Sequence, residues 1–484
     1  MSTYARSPRW SGRLPSLFSY LVQGGMTLVL GMWLVHALTH RGWEQIVAVI
    51  VQAFVVVTAL FDPLLALVAG LILAPFAPFW HFDISLGAGV PDLSLIRVMV
   101  LTTGFIILAR LTLGKYTLPP FGWVEVGMLL FVGSMVLATR MALKGPIYAL
   151  QTVFDAYIIP FSMYLMARIL VTDRERLRVL LYGLLFIGVM IAVVVFLEAW
   201  AGLMAFYPWG RPGLYSPSLK RITSFFGNPV YHAMIFAVLL PLFVYFYEVA
   251  EVRWQGWLFL AGGGVVLGAM SILYTRAGYL ATFISLLLLA IPFPRWRRWF
   301  WPGFLMGLIL LVVFWQRVSH SALFVERLTY TTSVEARTRS MEVAWQFWKE
   351  SPIFGIGYPN YGILALQRGY LRRIDDKWIP TPHNTFLGIL SQAGILALVG
   401  YGIMLWNIGR ELLGYFRRWR TRTTPAVHRA YLAWATFSSF IAYLTIISTI
   451  DADPAQYSNM VFYTLLGGVL GYLARESVRP GEVM

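Results

Sequence analysis

Apolar segments of about 20 residues recur along the whole chain and constrain its fold more than any other feature. A helix of that length crosses the hydrocarbon core of a bilayer. The composition agrees, since 58% of the residues are apolar and only 12% are charged. The sequence therefore predicts an all-α polytopic membrane protein of about 12–14 transmembrane helices, with residues 1–484 as a single transmembrane domain. The predicted spans lie near residues 17–38, 43–60, 62–80, 94–113, 121–139, 147–168, 177–203, 229–249, 255–274, 277–292, 300–316, 384–408, 430–450 and 458–474.

The basic residues indicate how these spans are oriented. The formal net charge of +16 would by itself suggest nucleic acid as a partner. The basic residues instead cluster at the ends of predicted spans, as the positive-inside rule describes, so we expect no nucleic acid. A cytoplasmic N-terminus places these residues inside: Arg110, Lys115, Arg168, Arg174, Arg176, Arg178, Arg295, Arg297, Arg298, Arg417, Arg418, Arg420 and Arg475.

One long polar loop, residues 317–383, falls on the external side, which should be poor in basic residues. It nevertheless contains several arginines, including Arg337 and Arg339. Arginine binds phosphates and carboxylates through paired hydrogen bonds, so these arginines suggest an anionic ligand.

Two segments of the loop have local patterns. The spacing from Ser340 to Trp348 predicts a helix that either lies on the membrane or packs as an ordinary loop helix. Its apolar face would consist of Met341, Ala344, Trp345 and Trp348. The glycine-rich run 355–362 resembles a phosphate-binding loop only loosely, because no Lys-Ser/Thr pair follows it. A tight turn is the alternative for this run.

Two arginines lie beside predicted spans. Arg221 precedes the run 224–229, and Arg276 lies in a very short external turn between two spans. A charge so close to hydrocarbon is costly unless it is paired or used. A single arginine there usually extends its charge to the lipid headgroups. For Arg276 we favour ligand binding, because a two-helix turn leaves little freedom and neighbouring loops add positive charge.

His383 lies in the sequence Pro382-His383-Asn384, where the loop returns to the membrane. A single histidine is more often structural. Its near-neutral pKa nevertheless suits His383 to accept a proton, and it lies on the arginine-rich side. Asn384 is placed to cap the following helix.

Support for a metal site is weak. Cysteine is absent, which excludes thiolate ligands and a cysteine nucleophile. The two carboxylates of Asp451-Ala452-Asp453 have a spacing that is found at divalent-cation sites, but Pro454 follows them at once. We prefer the interpretation that Asp451 or Asp453 orients His383 or the arginines.

The singled-out residues form an ordered set of short motifs between about residues 220 and 400. In this order they resemble the O-antigen ligase and O-antigen polymerase superfamily of bacterial envelopes. Residues before about 200 match that superfamily only as a series of spans. The motifs are Arg221 before Gly227-Asn228-Pro229, Thr275-Arg276-Ala277-Gly278, Trp345 before Pro352-Ile353-Phe354-Gly355-Ile356-Gly357, and His383-Asn384 before Gly394-Ile395.

The resemblance implies a C-type glycosyltransferase fold in the bacterial inner membrane, with its active site at the periplasmic face. It implies transfer of a glycan from undecaprenyl pyrophosphate to lipid A-core without a metal or cofactor. A single displacement at the anomeric carbon would invert that carbon. His383 would take the proton of the acceptor hydroxyl. By the same resemblance, the donor pyrophosphate would be bound by Arg221 and Arg276. Arg337 and Arg339 of the loop are additional to the family pattern, and donor phosphate, acidic sugars and anionic lipid headgroups are their alternative ligands. Supporting roles would fall to Asn228, Asn384, Asp451 and Asp453.

Other functions stay open at the level of sequence. Polymerases and protein O-oligosaccharyltransferases of the same superfamily use the same kind of donor. A metal-dependent transferase would use Asp451 and Asp453 instead. A flippase or transporter of lipid-linked glycans predicts charges along the spans and paired halves, and the sequence contains few such charges and no visible halves.

Overall fold

The computed structural model describes residues 43–78, 83–84, 92–201, 222, 224–316, 332–371, 381–420 and 424–478. The chain forms two compact units, Met1–Leu118 and Pro119–Met484. In the described part of the first unit, three helices pack against one another: α1 (Trp43–Phe61), α2 (Pro63–Leu73) and α3 (Leu95–Thr112).

Asp62 separates the first two helices. Its carboxylate accepts a hydrogen bond from the Leu64 amide at 3.0 Å, and Pro63 occupies the first turn of α2. Both are start signals of a new helix, because a side-chain oxygen satisfies an unpaired amide and proline has no amide to leave unpaired. The adjacent spans predicted at 43–60 and 62–80 are therefore separate helices.

The described part of the second unit contains twelve helices. A π-helical segment, Phe154–Ile158, interrupts α5. The helices are α4 (Trp123–Ala138), α5 (Pro146–Leu170), α6 (Arg174–Ala201), α7 (Pro229–Val249), α8 (Arg253–Ser271), α9 (Arg276–Leu289), α10 (Pro294–Val313), α11 (Thr332–Glu350), α12 (Tyr361–Gln367), α13 (Thr385–Trp419), α14 (Thr424–Ile447) and α15 (Gln456–Val478).

The helices account for the predicted spans. Within the described residues, seven segments are long and apolar enough to cross a membrane: Leu95–Thr112, Trp123–Met141, Pro146–Leu170, Arg174–Trp200, Pro229–Val249, Thr385–Trp419 and Ala426–Ile447. Every predicted span except 17–38 coincides with a described helix, and 17–38 lies outside the described residues. The prediction of an all-α polytopic membrane protein is confirmed, while the single-domain organisation and the total of about fourteen spans stay predictions.

The core of the second unit forms around α7. This helix is buried along most of its length and packs against α6, α8, α9 and α14. Helix α13 packs on α4 and α14, and it approaches α4 closely because small residues face each other. A Cβ atom on Gly400 would lie only 2.6 Å from the Phe131 nitrogen.

Helix α13 is kinked at Gly394, where φ is 77° and ψ is −173°. With 35 residues the helix is roughly 52 Å long, whereas the hydrocarbon core is about 30 Å thick. The segment before Gly394 is thus a separate element, which begins at Thr385 after the cap residue Asn384.

The predicted loop helix exists as α11, but its buried face differs from the expected one. Val343, Ala344 and Phe347 are buried and pack against Tyr361 and Ala365 of α12. The Tyr361 hydroxyl donates a hydrogen bond to the Ser340 carbonyl oxygen at 2.7 Å. Trp345, which the spacing placed on the apolar face, is exposed. The helix therefore packs on protein with the face one residue away from the predicted one.

Candidate active site

His383 is held in an unusual backbone conformation at the start of α13. Its φ is +54°, in the left-handed region that non-glycine residues rarely adopt. Asn384 fixes the next position, since its side-chain oxygen accepts a hydrogen bond from the Leu387 amide at 3.0 Å. Its side-chain nitrogen donates to the Ser448 carbonyl oxygen at 2.9 Å. The cap predicted at Asn384 therefore also ties α13 to the end of α14.

Asp451 links the loop after α14 to His383. The Asp451 carboxylate accepts a hydrogen bond from the His383 backbone amide at 2.9 Å. Thr385 reinforces the link, because its hydroxyl donates to the Ile450 carbonyl oxygen and accepts from the Ala452 amide. Asp451 thus positions His383 through the backbone, as two residues that are 68 positions apart in sequence.

Arg337 is close enough to both Arg276 and His383 for their charges to interact. Arg276 is the first residue of α9, and Arg337 lies on α11. Arg337 has exposed surface, yet protein surrounds its guanidinium group closely enough that desolvation lowers its pKa, with the charge of Arg276 as the second cause. Among the described residues, neither arginine forms a salt bridge. Two like charges close together stabilise a bound anion, because the anion relieves their repulsion.

The same charge acts on the His383 imidazole. Burial lowers the pKa of His383, the charge of Arg337 lowers it further, and the result is about 4. That is below the near-neutral pKa expected from the sequence. The imidazole is therefore neutral at pH 7, which is the form that accepts a proton, but it is a weaker base than a solvated histidine. An anion bound to the arginines would offset their charge and raise the pKa of His383.

Asp451 is buried and Asp453 is half-buried, and the two carboxyl groups are close enough for their charges to interact. Burial raises the pKa of each carboxyl group, and the charge of Asp453 raises that of Asp451 further. The Tyr358 hydroxyl donates a hydrogen bond to Asp453 at 3.0 Å, while Asp451 holds the His383 amide. No group of three or more histidine, aspartate or glutamate side chains that could hold a metal ion occurs among the described residues.

A cavity of about 150 Å³ opens beside the two carboxylates. Its lining includes Pro382 and Thr385, which flank His383 and Asn384 in the sequence. His383 therefore has a charged neighbour in Arg337, and the residues that flank it line a polar cavity.

The part of the chain that contains this arrangement resembles a known family. Residues 261–402 match the family model described as O-antigen ligase. This match supports the O-antigen ligase and polymerase superfamily that the motifs in the sequence predicted. A comparison with curated proteins found no similar sequence.

The matched residues include most of the candidate site. Arg276, Arg337 and His383 lie inside the matched residues, whereas Asp451 and Asp453 lie beyond them. The match covers less than a third of the chain. The helices in and around it identify the protein as an integral membrane protein.

Not every predicted site residue lies at this arrangement. Arg339, two positions after Arg337 on α11, points in another direction and lines a separate recess with Glu335 and Glu342. Asn228 caps α7 by accepting a hydrogen bond from the Val230 amide at 3.0 Å. Arg221 lies outside the described residues.

The glycine-rich run of the matched residues is a turn packed against α13. The Ile356 and Gly357 amides donate to the carbonyl oxygens of Ser391 and Gln392 at 2.9 and 3.0 Å. These two amides are therefore engaged by α13, and the phosphate-binding interpretation has no support from them. Gly394 permits the contact, since a Cβ atom there would collide with the Ile353 carbonyl oxygen.

Sequence reasoning missed two residues of this region. Tyr358 holds Asp453, and Asn360 donates to the Met141 carbonyl oxygen at 2.7 Å and accepts from the Leu143 amide at 2.9 Å. Both lie in the glycine-rich run, for which the sequence pattern indicated only a turn or a phosphate-binding loop. The available signal was the presence of a tyrosine and an asparagine among the glycines. Both are buried in the structure, and buried polar groups need hydrogen-bond partners.

Proposed function

We propose that this protein transfers a glycan from undecaprenyl pyrophosphate to an acceptor hydroxyl at the periplasmic face of the bacterial inner membrane, with lipid A-core as the acceptor. One observation carries the proposal. Arg276, Arg337 and His383 form a chain of electrostatic neighbours within the residues that match the O-antigen ligase family. An arginine pair beside a neutral imidazole suits a reaction with an anionic leaving group and an acceptor that must lose a proton.

The arginines serve the donor. As the bond between the sugar and the pyrophosphate breaks, its electron pair goes to the phosphate oxygen, where negative charge grows. Guanidinium groups stabilise that charge through paired hydrogen bonds. Arg276 adds the effect of its place at the N-terminus of α9, where the helix dipole favours anions.

His383 serves the acceptor. The acceptor oxygen forms a bond to the anomeric carbon on the face opposite the pyrophosphate, and its proton passes to a neutral nitrogen of the imidazole. This single displacement inverts the anomeric carbon. Asp451 is a positioning residue, because it holds the backbone amide of His383 rather than the reacting atoms.

Because of the arginines, we expect the reaction to need no metal ion. They supply the positive charge that a divalent cation gives to other phosphate-transfer sites. We therefore expect transfer to continue in EDTA. Activity that EDTA removes and Mg²⁺ restores would favour the metal-dependent alternative built on Asp451 and Asp453.

The test is transfer in vitro by the full chain in lipid nanodiscs, with a labelled undecaprenyl-pyrophosphate glycan as donor. Arg276→Ala and His383→Ala should each abolish transfer, because one removes charge stabilisation and the other removes the base. Lys349→Gln, an exposed change near the end of α11, should retain wild-type activity. Full activity in both site variants would overturn the mechanism.

The acceptor is tested by offering each class in turn. Labelled lipid A-core as product supports the proposed ligase reaction. A ladder of lengthened lipid-linked glycans would identify a polymerase, and a labelled peptide would identify an oligosaccharyltransferase. Movement of the donor across vesicle membranes without a glycan product would identify a flippase.

A further inference from the structure

An apolar surface is left uncovered on the loop helix α11 and on the turn that follows it. Trp345, Ile353 and Phe354 are exposed, and Trp348 is half-buried. We call these four residues the tryptophan surface. The ring centroids of Trp345 and Trp348 lie 4.5 Å apart, and the Trp348 indole nitrogen donates a hydrogen bond to the Pro352 carbonyl oxygen at 3.2 Å. The helix and the turn are therefore tied together at this surface.

The polar flank of α11 lies on another side of the helix. Gln346 follows Trp345 at about 100° around the helix axis. It lines a polar recess, whose charged residues are Glu335, Arg339 and Glu342. These side chains suit contact with water. The tryptophan surface does not, and an exposed apolar patch of this kind marks a contact with a membrane or with another protein.

The place of the turn along α13 favours the membrane. The Pro352 carbonyl oxygen accepts a hydrogen bond from the Ile395 amide at 2.9 Å, which fixes the turn beside Gly394. From Gly394 to Arg417 the helix rises about 35 Å, slightly more than the roughly 30 Å of the hydrocarbon core. Basic residues such as Arg417 mark the headgroups at one end of a span. Gly394 and the turn beside it therefore lie at the opposite boundary of the hydrocarbon core.

The exposed side of α13 continues the tryptophan surface. Ile395, Leu396 and Val399 are exposed and follow directly after the contact with the turn. They belong to a helix that is long and apolar enough to cross the membrane, so their neighbour is lipid. Tryptophan has an apolar ring and a polar N–H group, which suits it to the headgroup boundary beside such a surface.

We propose that the tryptophan surface contacts the bilayer next to α13, at the boundary between the lipid headgroups and the acyl chains. Ile353 and Phe354 reach the ends of the acyl chains, while the two indole rings lie at the level of the headgroups. Helix α11 thus packs on protein with one stripe and on lipid with the neighbouring one. The contact does not depend on the reaction proposed above, and it sets the depth of α11 and of Arg337.

The test measures the surroundings of single spin labels on the full-length protein in lipid nanodiscs, since the chain has no cysteine of its own. Trp345→Cys and Phe354→Cys place a label on each part of the tryptophan surface. Gln346→Cys is the matched control, because Gln346 is exposed, adjacent to Trp345 and part of the polar recess. Each label is exposed to molecular oxygen, which concentrates in lipid, and to a water-soluble nickel chelate.

Labels at Trp345 and Phe354 should collide with the nickel chelate about tenfold less often than the label at Gln346, because an apolar phase excludes a polar complex. Their collisions with oxygen should be more frequent than those at Gln346. The two labels lie on different elements, so the result does not depend on how well the protein tolerates either substitution.

Three results overturn the proposal. Nickel collisions at Trp345 and Phe354 that are as frequent as those at Gln346 would show that the surface lies in water. Rare collisions with both reagents would show that protein covers it, either a second copy or another partner. Protection that appears only after the undecaprenyl-pyrophosphate donor is added would show that the polyprenyl tail of the donor, and not bilayer lipid, occupies the surface.

Discussion

His383 lies between an arginine that opposes its protonation and an aspartate that fixes its backbone. Its neutral form therefore persists to low pH, since its pKa is about 4. In the proposed mechanism the base would be weak until the donor binds, because a bound anion would offset the charge of Arg337. The proposed mechanism therefore predicts that the basicity of His383 increases when the pyrophosphate donor is bound.

Arg337→Gln tests this coupling through the pH dependence of kcat/KM, which reports groups of the free enzyme. In the wild type, the acid limb that comes from His383 should lie near pH 4, below the range in which Asp451 and Asp453 bind protons, because burial raises the pKa of both carboxyl groups. Removing a positive charge raises the pKa of His383, so the variant should lose activity at a pH that is higher by up to about one unit.

The control for this profile is Lys349→Gln, which should leave the acid limb in place because Lys349 is exposed and does not contribute to the pKa of His383. An acid limb that stays at the wild-type pH in Arg337→Gln would contradict the coupling. A lower plateau alone decides nothing here, since Arg337 is also proposed to bind the donor.

Some residues of the candidate site could be predicted from the sequence, and others could not. Arg276 and His383 were predicted because a charged or polar residue at a membrane boundary is costly and needs a reason. The contact between Asp451 and His383 joins positions 68 residues apart, so no local pattern contains it. The lowered pKa of His383 depends on packing and on Arg337, and neither is visible in a sequence.

The turn at residues 352–357 packs against residues 391–395 at the kink of α13, and we call this contact the main-chain joint. Main-chain hydrogen bonds join them, including one from the Ile395 amide to the Pro352 carbonyl oxygen at 2.9 Å. Glycine is required at Gly394 for its backbone angles and for the close approach of Ile353. This pair places the loop beside the residues that follow His383.

Gly394→Ala should destabilise the protein and reduce transfer, since the backbone strain alone costs about 1–3 kcal/mol and the new methyl group collides with the loop. The measurement is thermal unfolding in detergent, followed by intrinsic fluorescence. Gly402→Ala is the matched control on the same helix, because a Cβ atom there meets no atom within 4 Å. Equal melting temperatures for the two variants would refute the role of the joint.

Helix α11 shows why an element is easier to predict than its orientation. Its periodic spacing predicted the helix, and the structure has it from Thr332 to Glu350. The buried side was misplaced because tryptophan is both apolar and common at membrane surfaces. Phe347 is buried instead, against a partner, α12, that hydropathy cannot reveal.

At the scale of the whole molecule, the spans were the most predictable feature. A lipid environment requires each spanning segment to satisfy its own backbone hydrogen bonds, so long apolar runs become helices. The order in which those helices pack was not predictable, since the central place of α7 depends on contacts between distant segments. The orientation of the spans stays a prediction from the basic residues.

The orientation can be tested by labelling single cysteines, because the chain has none of its own. Lys349→Cys should react with a membrane-impermeant maleimide in spheroplasts, since the loop is predicted to be external. Lys115→Cys should react only after permeabilisation, because its loop is predicted to be cytoplasmic. Both residues are exposed, so access within the protein does not limit either reaction.

The cysteine-free parent is the background control for both variants. Labelling of Lys115→Cys but not Lys349→Cys in sealed spheroplasts would invert the topology. The proposed periplasmic site would then be wrong as well.

The main-chain joint between residues 352–357 and 391–395 also limits which segments of this chain can be exchanged with those of a related protein. Its hydrogen bonds join backbone groups, so side chains can be exchanged there while the glycines and the register are kept. A transplanted loop would need to bring both halves of the joint from the same parent. A chimera that takes residues 352–357 from one protein and residues 391–395 from another would lose the hydrogen-bond register between them. A chimera in which only α11 and α12 are exchanged would keep the joint intact.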